Sequence, residues 1–306
     1  MRTLALIASA LLSMAAHATQ DTAQSTAQET LPLTGRSVVL LGDDLAGVLM
    51  RDVAARERSR IERHGDVYEL VVPSVGISLR SLAPGGAITA LADALHHHDI
   101  GLIVVDATRG PTPVVREHMI VARQARTPML ALMFANVERL YEKAGEDSDE
   151  LLDLEFAEIR ELLAAYELDA SSVPIFYDAR PAALETEPAA VGIPETLRAL
   201  SLYGPRRTGG GSTESASEIW AAVYLLSDAE TAGHSSLLSP NDTLVVWSEG
   251  AQAQATLASR SEYNPGDFRE MPLAMDPPLG VREGSRLLLV RGERVVGLGV
   301  VTQIGR

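Results

Sequence analysis

Residues 100–106 read Ile100-Gly101-Leu102-Ile103-Val104-Val105-Asp106, an apolar run with no polar interruption, closed by an acid. A strand with one face in water alternates apolar and polar residues. A short continuous run instead predicts a strand buried on both faces, as in a mostly parallel sheet covered by helices. Outward from this stretch the pattern repeats. Residues 37–41, 67–72, 75–82, 129–134 and 173–177 are further strand candidates, and 45–60, 87–97, 113–126 and 149–166 carry helical periodicity between them. The alternation predicts an α/β domain over residues 31–202.

Beyond it, Gly204-Pro205-Arg206-Arg207-Thr208-Gly209-Gly210-Gly211-Ser212 is breaker-rich and marks a linker over 203–215. The helical period then stops. Runs at 222–227, 243–248, 253–258, 286–291 and 295–303 read as strands, with turn signals at Pro240-Asn241-Asp242, Asn264-Pro265-Gly266-Asp267 and Asp276-Pro277-Pro278, so 216–306 predicts a small antiparallel β-barrel or sandwich. At the other end, Arg2 precedes an apolar run over 4–16, and Ala16-His17-Ala18 is a small-x-small site. Residues 1–18 therefore predict a cleaved secretory signal peptide and a periplasmic or secreted product with no transmembrane helix after cleavage. Polar residues 19–30 predict a flexible tether.

The 306-residue chain has a formal net charge of −15, no cysteine and a single lysine, Lys143. Strong acidity argues against a nucleic-acid partner, because phosphate binding rests on Lys and Arg. Absence of cysteine excludes disulfides, thiolate zinc sites and cysteine nucleophiles.

A family resemblance lies in Val105-Asp106-Ala107-Thr108-Arg109-Gly110-Pro111-Thr112-Pro113, followed by Arg116-Glu117-His118 and Ala122-Arg123-Gln124. It continues in Asp153-Leu154-Glu155, Ile159-Arg160-Glu161-Leu162-Leu163, Tyr166 and Pro174-Ile175. These resemble the G domain of elongation factor Tu, a translational GTPase. Val223-Tyr224-Leu225-Leu226-Ser227, Asn264-Pro265-Gly266-Asp267 and Gly297-Leu298-Gly299-Val300-Val301 resemble that family's last barrel. The resemblance implies a P-loop-GTPase-like sheet with helices on both faces, followed by the barrel. The family's middle barrel has no counterpart, since 203–215 is long enough only for a linker.

The GTPase motifs are degenerate. A P-loop, G-x4-G-K-[ST], cradles phosphates on backbone amides and adds a Lys and a magnesium-binding hydroxyl. The matching run is Gly42-Asp43-Asp44-Leu45-Ala46-Gly47-Val48-Leu49, with Val48 and Leu49 in the Lys and Thr positions and two carboxylates where phosphate would approach. That run reads as a tight turn with acidic N-capping. By the resemblance, D-x-P-G corresponds to Leu82-Ala83-Pro84-Gly85, the histidine after it to Gly86, N-K-x-D to Ala135-Asn136-Val137-Glu138, and S-A-L to Ala179-Arg180-Pro181. No threonine occurs between Thr34 and Thr89, so the first switch's magnesium ligand is missing too. The vestigial nucleotide site is thus Gly42, Asp43, Asp44, Gly47, Val48, Leu49, Pro84, Gly85, Gly86, Asn136 and Glu138, with no catalytic residue, no metal ligand and no cofactor.

Other clusters are weaker. His96-His97-His98 would point about 100° apart on a helix, which suits favourable charge at its C-terminus better than a shared metal ion. Residues 141–170 hold eleven acids against Lys143 and Arg160, a net −9, which reads as a solvated helix face or a docking surface for a basic partner or for divalent cations. The expectation is an exported, elongation-factor-Tu-like pseudo-GTPase that binds a protein or envelope partner. Two rivals stand beside it: a GTP-binding translation factor with an atypical site, and a cation-dependent enzyme using the vacated cleft through Asp43, Asp44 and Glu138.

Overall fold

Residues 35–179, 181, 188–203, 212–231 and 234–305 are described by the structure, a computed structural model. The predicted signal peptide (1–18), the tether (19–30), Arg180 and linker residues 204–211 lie outside them.

The chain enters at β1 (Ser37–Leu41) and turns at once into α1 (Asp44–Glu57). A meander follows through β2 (Glu62–His64), β3 (Val67–Val72) and β4 (Ile77–Leu82). Then come α2 (Ile88–His97), β5 (Ile100–Asp106), α3 (Pro113–Gln124), β6 (Met129–Ala135), α4 (Val137–Ala144), α5 (Ser148–Ala165), β7 (Ile175–Tyr177), β8 (Ala190–Val191) and α6 (Ile193–Leu202). Strand order is β2-β3-β4-β1-β5-β6-β7-β8, parallel from β4 to β8, with β2 and β3 antiparallel at one edge.

Every residue of β5 is buried. Its five aliphatic side chains contribute roughly 2 kcal/mol each on burial, which is why this strand lies inside the sheet between β1 and β6. Apolar side chains on one sheet face pack against α1 and α6, and those on the other against α2, α3 and α5. This is the α/β sheet with helices on both faces that the apolar run at 100–106 demands.

The second part is a closed six-stranded antiparallel barrel, β10-β11-β12-β9-β14-β13. Its strands are β9 (Glu214–Leu225), β10 (Thr243–Ser248), β11 (Ala251–Leu257), β12 (Phe268–Val281), β13 (Arg286–Arg291) and β14 (Arg294–Ile304). Two sequence readings are corrected here. Asp276-Pro277-Pro278 is no turn: it lies within β12, where the register with β9 shifts between Ala274 and Leu279. Proline lacks the ladder N–H, and a bulge is where a strand tolerates that loss. β9 also starts at Glu214, eight residues before the 222–227 run, because its early half is polar outside and buries only Ala216 and Ile219.

The barrel docks directly on the α/β domain. Leu226, Trp247, Leu288, Val290, Val295 and Leu298 belong to the same apolar cluster as the side chains of α2 and α3. Polar contacts seal the seam: Gln124 Nε2 donates to Leu287 O at 2.7 Å, and Arg286 Nη1 to Arg123 O at 2.5 Å. Among the described residues no helix is long and apolar enough to cross a membrane.

Candidate functional site

In open α/β sheets ligands bind beyond the carboxyl ends of the strands, where neighbouring connections leave in opposite directions. Here that point lies at the end of β1, between β4 and β5. A cleft of about 680 Å³ opens there, walled by the β1–α1 turn, the 82–86 loop, α3 and the β13–β14 hairpin of the barrel. Gly42, Asp43, Asp44, Gly47, Pro84, Gly85 and Gly86 all line it, so the fold brings these site residues together. Val48, Leu49, Asn136 and Glu138 are not among its walls.

The turn that the resemblance puts in the place of a phosphate cradle is closed at three of its amides. Gly42 sits at φ +146°, and a Cβ there would meet Val104 O at 2.7 Å, so glycine is required by the close approach of β5. Immediately after it Asp43 caps α1: its Oδ1 accepts from Leu45 N at 3.1 Å, and its carbonyl accepts from Ala46 N at 3.1 Å. Helix therefore occupies the run from Asp44, where a P-loop keeps a coil with amides turned to phosphate. Gly47, Val48 and Leu49 stand inside that helix, with Val48 outward and Leu49 buried in the core.

The Gly42 amide is also occupied. Gly42 N donates to Nδ1 of buried His118 on α3 at 3.0 Å. Burial, with Arg294 adding repulsion, pushes the His118 pKa down to about 4, so the ring is neutral and its Nδ1 can accept. Glu117, the preceding residue, reaches into the barrel and accepts from Arg294 Nη1 and from Val295 N, both at 2.9 Å. One turn of α3 thus holds the cleft floor and the barrel together.

A second charged network lies beside the cleft. Arg109 donates to Asp43 Oδ2 at 3.1 Å and to Asp106 Oδ2 at 2.9 Å. Burial favours the neutral form of Asp106. The amide and hydroxyl of Thr108, the Asn136 side chain and Arg109 outweigh it and hold the carboxyl below its usual range. Asn136, in the left-handed region at φ 64°, starts α4, and its N–H and that of Val137 are taken by Asp178. Glu138 is exposed on α4. Among the described residues Asp43, Arg109 and Asp106 link the turn at Gly42 to Asn136, and Glu138 does not join Asp43 and Asp44 in one donor set.

Sequence reading missed Glu155. It packs over Gly110, and its Oε2 is buried with no hydrogen-bond partner. Burial, then the charges of Asp106 and Glu158, push its pKa up to about 8. No periodicity marks it, since it stands among ordinary solvated acids of α5 and only the loop packed on it removes water.

The histidine run is also corrected. His98 is buried and its Nδ1 lies 2.5 Å from Ala94 O, with burial and then Arg80 lowering its pKa, so it is a neutral hydrogen-bonding group and not a terminal charge. His96 packs edge-on to Trp247 of the barrel. Among the described residues no group of three or more His, Asp or Glu side chains is placed to hold a metal ion.

Magnesium and GTP do not fit the residues present. The Gly42, Leu45 and Ala46 amides are satisfied from within, carboxylates face the cleft, and neither a lysine nor a hydroxyl stands in the corresponding helix positions. No protein-family model matches the chain.

Proposed function

We propose that this chain is an exported relative of elongation factor Tu whose α/β domain has given up nucleotide chemistry, and which serves as a binding module for a protein or cell-envelope partner. One observation carries the reading: the turn that would cradle phosphate is filled by the protein's own groups, with Gly42 N on His118, Leu45 N on Asp43, and Asp43 on Arg109. A phosphate entering there would have to displace all three and approach Asp43 and Asp44, and like charges at close range repel by several kcal/mol at a low effective dielectric. Direct docking of the barrel on α2 and α3 supports the same reading, because Gln124 and Glu117 of α3 contact the barrel with no middle barrel between them.

Calorimetric titration with GTP and GDP in magnesium tests it. The expected result is no binding tighter than millimolar, equivalent to about −4 kcal/mol. Micromolar affinity would sink the proposal. Export is tested separately: native protein should begin at Thr19, and a cytosolic pool retaining Met1 would remove that part.

A further inference from the structure

The cleft at the end of β1 is closed to phosphate at its turn, yet it holds a donor that nothing fills. His118 is 5% exposed and lines the cleft. Its Nδ1 accepts from Gly42 N at 3.0 Å, and a ring nitrogen that accepts carries no proton, so the imidazole bears its hydrogen on Nε2. Among the described residues no group accepts from that N–H. A dehydrated donor without a partner is unfavourable, and such a group in a cleft is satisfied when a ligand brings the acceptor.

The walls sort the ligands that could bring it. Asp43 is engaged with Leu45 and Arg109, and Glu117 with Arg294 and Val295. Asp44, Arg51 and Glu293 also line the cleft; they are exposed, and among the described residues their side chains have no hydrogen bond or ion pair. Carboxylates at the mouth repel an anion, as they do phosphate. Arg294 is the charge that acts on the His118 ring, so a cation is disfavoured beside it. A neutral ligand with hydroxyls suits the remaining groups, because a hydroxyl donates to a carboxylate and accepts from a guanidinium. Val114, four residues before His118, stands on the same face of α3 and lines the cleft with Leu82 and Ile88. A donor set among aliphatic side chains matches an acetamido group, which offers a carbonyl to Nε2–H and a methyl to the apolar wall. The cleft volume of about 680 Å³ falls within the ~300–1,000 Å³ of small-molecule sites.

We propose that this cleft binds an N-acetylated amino-sugar unit of a neutral glycan, with His118 Nε2–H on the acetamido oxygen and Asp44, Arg51 and Glu293 on hydroxyls. The site rests on the reading of the cleft as free of nucleotide, and gives the envelope partner a chemistry.

Calorimetric titration of the purified chain with N,N′-diacetylchitobiose, and with cellobiose, which carries hydroxyls in place of the acetamido groups, tests it. The acetylated disaccharide should bind with a Kd below about 1 mM, and cellobiose at least about tenfold more weakly. His118→Asn keeps an acceptor for Gly42 N but removes the far N–H, and should erase that preference. Glu293→Ala, an exposed change in the turn between β13 and β14, should weaken both sugars about threefold and serves should His118→Asn fold poorly. Leu154→Ser, exposed on α5 and outside the cleft, should change nothing. Silence up to about 10 mM acetylated sugar, equal affinity for the two sugars, or a preference that survives His118→Asn would overturn the proposal. So would binding of a lysine tripeptide in their place. GTP titrated into the same sample tells the two failures apart: micromolar GTP binding removes the nucleotide-free reading itself, whereas a chain that ignores both GTP and sugar loses the glycan site alone.

Discussion

Gly42 and His118, 76 residues apart in the chain, share a 3.0 Å hydrogen bond in which the backbone N–H at the end of β1 donates to a buried neutral imidazole. That bond turns a position suited to an anion into a closed internal contact. It also ties the cleft floor to α3, whose Glu117 grips the barrel.

The bond makes stability depend on acid. An unfolded histidine titrates near 6.5 and His118 near 4, so between these values the unfolded chain takes up a proton that the folded chain refuses. Stability from this group is full above about pH 6.5 and declines as pH falls toward about 4, by roughly 3 kcal/mol in all. Urea titrations at several pH values in a Glu155→Gln background should show that decline, and adding His118→Gln should flatten it. Equal stability of Glu155→Gln at pH 7 and 4.5 would count against a buried neutral ring.

Glu155 works in the opposite direction. With its pKa pushed up to about 8, the folded chain keeps a proton that the unfolded chain gives up above about pH 4.5, so this group's contribution falls as pH rises between those values. Glu155→Gln mimics the protonated form. It should raise stability at pH 8 by about 1–2 kcal/mol after discounting for partial exposure, and the gain should vanish near pH 4.5. A gain that does not change with pH would mean that packing, and not ionisation, is responsible.

Capping by Asp43 predicts a graded series. Asp43→Asn should cost little, about 0.5 kcal/mol, because asparagine also caps, whereas Asp43→Ala should cost about 1–2 kcal/mol by stripping the Leu45 amide of its acceptor. Calcium or magnesium should leave the melting temperature where it is. A metal-dependent rise that disappears when Asp43 and Asp44 are both changed to Asn would favour a cation site instead.

The Glu117 contact should be lopsided. Glu117→Ala leaves the Val295 amide without its partner inside the seam and should cost about 2 kcal/mol, while Arg294→Ala removes a half-exposed charge and should cost under about 1 kcal/mol. Chemical denaturation of both variants checks this, and equal losses would show that the ion pair, not the backbone bond, carries the clamp.

Sequence alone determined the elements whose signal is local. Ser37–Leu41, Val67–Val72, Ile100–Asp106, Thr243–Ser248 and Arg286–Arg291 have in the fold the bounds that apolar patterning gives them, and the four helices read from periodicity end within a few residues of where it stops, while α4 and α6 were not read from it. The acidic cap at Asp43 was legible for the same reason, since an N-cap acts over two or three residues. Only the tertiary structure decided the rest. β12 passes through its proline pair because a bulge against β9 accommodates it, and no window of sequence contains β9 and β12 together. His118 is neutral, Glu155 protonated and Glu117 a clamp because each is dehydrated by segments distant in the chain: burial and a neighbour's charge set a pKa, and both come from packing that side-chain spacing does not encode.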